Sequence, residues 1–159
     1  MSYLLHQLPP TRNDAVDKCL RALAPIKNDF NGIVVTGLSG ITIGSIVAYF
    51  MDKTLTIIRK PHEECHGNTV EGPIPRKYII LDDFISSGDT IIRIMSQLKT
   101  TAYFAGITDP IALPINICVY DHSVNIITKY QWKVDRPFDL EYIDNHPNLL
   151  KVIARKGVK

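Results

Sequence analysis

Four consecutive large apolar residues, Tyr78-Ile-Ile-Leu81, run directly into Asp82-Asp83, and a few residues later the chain passes through Ser86-Ser-Gly-Asp-Thr90 into a helical period. No other stretch constrains the fold as strongly. An apolar run this short and without alternation predicts a strand buried on both faces, which belongs in a sheet covered by helices. Ile91, Ile94, Met95 and Leu98 then recur at helical spacing, so the polar turn opens a helix with one inward face. The unit is strand, tight turn, helix, with two carboxylates at the strand's C-terminal end.

The rest of the chain repeats this grammar. Val16, Cys19, Leu20 and Leu23 predict a helix over 11–23, with Thr11 or Asn13 as its N-cap. Gly32-Ile-Val-Val35 predicts a buried strand, Thr36-Gly-Leu-Ser-Gly40 a tight turn, and 41–51 a helix apolar on most sides. Thr54 to Ile58 is β-branched and strand-like. Further strands are expected over 102–107, 115–120 and 124–127. The alternation predicts an α/β fold: a mostly parallel, twisted sheet with helices on both faces. One domain over 1–159 is expected, with a core over about 30–128. Between strands, 59–76 holds three prolines, two glycines and two histidines with no apolar period, which is the texture of a long functional loop.

Composition excludes several classes. With 45% hydrophobic and 21% charged residues the chain is ordinary globular protein. Its longest apolar runs are too short and interrupted to span a bilayer, and the first residues show no secretory pattern, so the expected location is the cytoplasm, away from membranes. A formal charge of +2 predicts no nucleic-acid partner. Cys19, Cys65 and Cys118 are sparse and odd in number, unlike a disulfide framework. His62, Cys65 and His66 lack a second ligand pair at zinc-site spacing.

The chemistry concentrates at the strand–turn–helix unit. In an open α/β sheet, ligands bind at the C-terminal ends of the strands. Backbone N–H groups of a small-residue turn at a helix N-terminus suit a phosphate, with the Ser86, Ser87 and Thr90 hydroxyls as further donors. The adjacent Asp82 and Asp83 would repel phosphate and suit vicinal hydroxyls or a hydrated Mg²⁺. Phosphate at one end and hydroxyls at the other describe a ribose 5-phosphate.

The stretch Ile79-Ile-Leu-Asp-Asp-Phe-Ile-Ser-Ser-Gly-Asp-Thr90 resembles the phosphoribosyl pyrophosphate motif of the type I phosphoribosyltransferases. The resemblance covers about 32–98. It implies that Asp82 and Asp83 bind the ribose hydroxyls, directly or through metal-bound water, and that Ser86, Ser87, Gly88, Asp89 and Thr90 hold the 5-phosphate. Asp89 stands where an uncharged residue is common, and its N–H rather than its carboxylate is expected to face the phosphate. The turn containing Leu38, Ser39 and Gly40 falls where the family has its pyrophosphate loop; tight packing of Gly40 and Gly44 against the sheet is the other reading of these glycines. Arg59-Lys60 matches an Arg-Lys pair of the orotate, adenine and xanthine branches that approaches pyrophosphate. Glu63 to Gly72 resembles the mobile loop of the orotate branch, with His66 and Gly67 in register, but lacks that branch's loop lysine.

The implied reaction displaces pyrophosphate from phosphoribosyl pyrophosphate by a nitrogen of a base, with Mg²⁺ as cofactor and Asp82, Asp83, Arg59, Lys60 and His66 as the residues of the chemistry. In the family the base lies under a variable hood built from the chain ends, here about 129–159. Trp132, Lys133 and Phe138 either contact a purine-like base there or, for the aromatics, cover one edge of the core. A homodimer is the expected assembly. Some relatives keep the site and act as regulators that sense the ligand, a reading compatible with the missing lysine. A plain dinucleotide-binding domain is disfavoured because 36–44 lacks Gly-x-Gly-x-x-Gly spacing.

Overall fold

A computed structural model describes residues 9–60, 63, 68–83, 89–107 and 114–120. The elements run α1 (Pro9–Leu23), a short 3-10 turn (Ala24–Ile26), β1 (Gly32–Thr36), α2 (Gly37–Met51), β2 (Thr54–Ile58), β3 (Val70–Glu71), β4 (Tyr78–Asp82), α3 (Asp89–Phe104) and β5 (Asn116–Val119). The five strands form one sheet in the order β3-β2-β1-β4-β5. β1 pairs in parallel with both β2 and β4, and β4 in parallel with β5. Only the two-residue β3 is antiparallel, on the β2 edge.

Alternation along the strands divides the core into two. Ile33 and Val35 of β1, Ile79 and Leu81 of β4, and Cys118 of β5 pack with Val16, Cys19 and Leu23 of α1 and with Ile43 and Val47 of α2. Val34, Tyr78, Ile80 and Ile117 point the other way, onto Ile91, Ile94 and Leu98 of α3. Every residue of β1 and β4 is buried, which is why neither strand shows a polar alternation in sequence. The α/β class is thus present, with α1 and α2 on one face and α3 on the other.

Several boundaries differ from expectation. α1 begins at Pro9, so Thr11 and Asn13 lie inside it; Pro9 and Pro10 fit a first turn, where N–H groups have no helical partner. The expected five-residue turn after β1 is a single corner. Thr36 is extended, Gly37 takes φ +67°, and the helix starts there rather than at residue 41. Gly37 makes the corner, while Gly40 and Gly44 lie within α2 against Val35. A Cβ on Gly44 would overlap Val35 Cγ1, so glycine is what lets α2 lie close on β1.

The strand expected over 102–107 is absent. α3 runs to Phe104 because Ala102 continues the buried stripe Ile91, Ile94, Leu98, and Gly106 at φ +71° turns the chain afterwards. Tyr103 and Phe104, which favoured a strand by propensity, are exposed at the helix end. The long loop also contributes β3 to the sheet edge. The strand expected over 124–127 and the hood over 129–159 lie outside the described residues. No helix among the described residues is long and apolar enough to cross a membrane.

Candidate functional site

The register that sets Thr36 against Ile58, and Val34 against Ile80, brings the C-terminal ends of β1, β2 and β4 to one side of the sheet. β1 sits between β2 and β4. The chain leaves β1 through α2 on one face and β4 through α3 on the other. Such a reversal opens a crevice at the strand ends, where α/β sheets admit ligands. The N-termini of α2 and α3 both start at this end.

Asp82 closes β4 with only 6% exposure, and its Oδ1 accepts a 2.9 Å hydrogen bond from the Asp83 N–H. Burial, and then the neighbouring Asp83 carboxylate, push the Asp82 carboxyl well above the usual carboxylate range; Lys60 draws it back down. Asp83 is half-buried. The floor of the crevice is therefore an adjacent pair of carboxyl groups, with Lys60 and Arg93 as the cations that act on Asp82. Mg²⁺ binds through one or two carboxylates plus substrate phosphates, so this donor pair fits it. Among the described residues, no group of three or more His, Cys, Asp or Glu side chains forms a self-sufficient metal cage.

Arg59 and Lys60, adjacent in sequence, diverge. Lys60 Cε and Nζ lie 3.1 and 3.2 Å from where a Cβ on Gly37 would stand, so the amine overhangs the first residue of α2. The Arg59 guanidinium instead forks onto Glu71, donating from Nε to Oε1 and from Nη2 to Oε2 at 2.9 Å each. Within the α2 turn, Leu38 is exposed while Ser39 and Gly40 are buried. Asp89, exposed, and Thr90, half-buried, open α3. Ser86, Ser87, Gly88, His66, Trp132, Lys133 and Phe138 lie outside the described residues.

Two further residues at the crevice had no signal in the motif. Arg93, on the second turn of α3, donates from Nη2 to Thr36 Oγ1 at 3.0 Å and from Nη1 to the Arg59 carbonyl at 2.8 Å. Burial lowers its pKa from the ordinary guanidinium value, while Asp82 and then Glu63 favour its charged form. Thr36 Oγ1 in turn donates to the Ile58 carbonyl at 2.7 Å. A basic residue close behind a phosphate-type turn was the only available hint. Tyr120, just past β5, is fully buried, and its N–H donates to the Asp82 carbonyl at 3.0 Å. Burial, then Asp83 and Asp82, push that phenol far upward, so it stays protonated. Cys19 and Cys118, distant in sequence, meet as buried free thiols with Sγ atoms 3.7 Å apart.

The fold and crevice define an α/β domain of the kind that takes small ligands at a switch point of its sheet. No protein-family model matches the chain. It is similar to transcriptional regulator GfcR of Methanocaldococcus jannaschii, at 32% identity over 80 residues, 45% of this chain and 38% of the relative. The match therefore spans well under half of that relative's length. Among solved structures it is similar to an orotate phosphoribosyltransferase from Aeropyrum pernix (19% identity, 61% of this chain and 56% of that chain, TM-score 0.49). It is also similar to a hypoxanthine phosphoribosyltransferase from Staphylococcus aureus (19% identity, 55% and 56%, TM-score 0.36).

Proposed function

We propose that this chain is a phosphoribosyl-binding domain that takes up phosphoribosyl pyrophosphate with Mg²⁺ in the crevice and signals its presence instead of consuming it. The observation that carries the ligand assignment is the Asp82–Asp83 pair at the end of β4, Asp82 buried and Asp83 half-buried, together with Lys60 at the head of α2. Asp82 and Asp83 would hold the ribose hydroxyls and the metal. The turn 86–90 would hold the 5-phosphate on the N-terminus of α3. The N–H groups of Leu38, Ser39 and Gly40, with Lys60 above them, would receive the pyrophosphate. Mg²⁺, when bound, neutralises pyrophosphate charge.

Two observations favour sensing over transfer. Departure of pyrophosphate needs compensating positive charge as the glycosidic bond breaks. Arg59, the cation expected to help, is held by Glu71 in a bidentate pair. The curated relative is a transcriptional regulator by name. With a net charge of +2 this domain is proposed as the ligand-reading part and not itself a nucleic-acid surface.

Transfer of the phosphoribosyl group to a nitrogenous base, a purine-like one ahead of orotate, is the second reading, favoured by Lys60 over the α2 turn. In that reading Lys60 stabilises the leaving group, Asp82 and Asp83 fix the ribose, and a closing loop with His66 excludes water. A homodimer in the cytoplasm is proposed under either reading.

Calorimetry with phosphoribosyl pyrophosphate, with and without Mg²⁺, followed by a panel of free bases with labelled donor, separates the possibilities. Sensing predicts Mg²⁺-enhanced binding and no nucleotide from any base. Nucleotide formation establishes transfer, and Arg59→Ala should then slow it more than it weakens donor binding. Failure of both phosphoribosyl pyrophosphate and ribose 5-phosphate to bind removes both readings.

A further inference from the structure

We propose that Arg93 is a positioning residue that couples the two halves of the crevice, fastening the Arg59–Lys60 segment to the end of β1 from the helix that carries the phosphate turn. The proposal rests on the phosphoribosyl reading above and adds a residue that reading does not use.

Arg93 belongs to α3, three residues after Thr90, so it moves with the proposed phosphate site. Its two Nη groups reach the strand ends: one donates to Thr36 Oγ1 at 3.0 Å, the other to the Arg59 carbonyl at 2.8 Å. Thr36 is the last residue of β1 and stands directly before Gly37, the residue Lys60 overhangs. Arg59 is the first residue past β2 and stands directly before Lys60. One guanidinium therefore spans the strand ends on which both pyrophosphate contacts depend.

The surrounding bonds reinforce this. Thr36 Oγ1, while accepting from Arg93, donates to the Ile58 carbonyl, tying β1 to β2 one residue before Arg59. The Arg59 N–H donates to the Thr69 carbonyl, and its guanidinium is taken by Glu71, so the segment is fixed on its outer side as well. Arg93 is the inner anchor. A fixed fork is needed because one acceptor ends β1 and the other follows β2; a lysine amine is a single point and serves one well. Asp82 and Glu63 supply the negative charge that faces the guanidinium.

The consequence is a division of labour. Ribose 5-phosphate needs the α3 turn and the carboxylates but not Lys60. Phosphoribosyl pyrophosphate needs all of them in register. Arg93→Met keeps the aliphatic stem and removes both hydrogen bonds. It should weaken phosphoribosyl pyrophosphate about tenfold, as expected for two lost bonds near 0.7 kcal/mol each. Ribose 5-phosphate should bind within about threefold of wild type, since only long-range charge is lost. Arg93→Lys should recover part of the difference. In the Arg93→Met background, Lys60→Met should cost little more, because Lys60 is already out of register; in wild type it should cost about tenfold on its own.

Calorimetry with both ligands on these four variants, and hydrogen exchange of the ligand-free proteins, make the test. Exchange should rise at the Arg59 and Lys60 amides in Arg93→Met while the amides of β1 and β4 keep wild-type protection. Parallel loss of both ligands with a general rise in exchange would mean Arg93 is merely structural and overturn the proposal. So would additive losses in Arg93→Met and Lys60→Met, or unchanged exchange at 59–60. If wild type binds neither ligand, the phosphoribosyl reading fails, and exchange at 59–60 alone then decides whether Arg93 fastens that segment.

Discussion

Gly40 and Gly44 occupy successive turns of α2 against the same residue, Val35 of β1, yet alanine at the two positions should act oppositely. A Cβ on Gly40 would meet Val35 Cβ at 3.4 Å and the Leu81 carbonyl oxygen at 3.7 Å, which is ordinary contact. A Cβ on Gly44 would overlap Val35 Cγ1, and neither partner can yield easily, because Val35 is fully buried on a central strand. To relieve that overlap α2 must lift by roughly 1 Å or Val35 must leave its rotamer, at about 1–3 kcal/mol. Alanine gains about 0.8–1.0 kcal/mol over glycine in helix propensity at both sites, so this term cancels in the comparison. The separation between the two variants is therefore the overpacking alone. For a domain of this size 1 kcal/mol moves the melting temperature by about 2–4 °C. Gly40→Ala should melt at or above wild type, and Gly44→Ala roughly 2–12 °C below Gly40→Ala. Differential scanning calorimetry at one pH reads this directly. Equal melting temperatures, or Gly40→Ala as the less stable, would refute the packing of α2 on β1 as described. Because α2 carries Leu38, Ser39 and Gly40, Gly44→Ala should also weaken phosphoribosyl pyrophosphate binding.

Three further outcomes follow from the crevice. Asp82→Asn should abolish Mg²⁺-dependent ligand binding yet stabilise the metal-free protein at pH 8. The folded-state carboxyl is raised above its unfolded value, so its favourable contribution is full below the unfolded pKa, near 4, and is lost as pH rises through the folded one. The advantage of the Asn variant, followed by thermal melts across pH, should accordingly grow with pH; a constant or inverted difference would contradict it. Thr36→Val removes the donor to the Ile58 carbonyl and an acceptor of Arg93, and should cost about 1–3 kcal/mol in urea unfolding while leaving the sheet intact. Cys19 and Cys118 are fully buried, and Cys118 is further held protonated by its contact with Cys19, so neither should react with a thiol reagent before unfolding, as mass spectrometry of labelled peptides would show.

The strand β4 with its terminal aspartates, and a helix opening at its turn, were legible because local chemistry dictates them. An unbroken apolar tetrad must be buried on both faces, and charge can only follow at its end. The α/β class followed for the same reason from β1 and β2. Propensity misled where packing overrode it. Gly37 to Gly40 looks like a turn, yet Gly37 alone makes the corner, and Gly40 lies inside α2 against Val35. Ala102 to Phe104 looks like a strand start, yet the buried stripe of α3 continues through Ala102.

What the sequence determined alone is the inventory: two carboxylates at a strand end, a small-residue turn behind them, and a basic pair after β2. These are consequences of residue type and short-range spacing. Which of them act together was decided by tertiary structure. The partners of Arg59 and Arg93 come from residues 12 and 57 positions away, Glu71 and Thr36, and no local pattern encodes such pairings. Neighbours in the chain, Arg59 and Lys60 were separated by the sheet edge, which gave Arg59 a carboxylate on β3 and left Lys60 over the head of α2. Asp82 already read as a carboxylate suited to hydroxyls or a hydrated Mg²⁺; its burial at the end of β4, which raises its pKa, came only with the tertiary structure, because desolvation depends on neighbours that the chain supplies from far away.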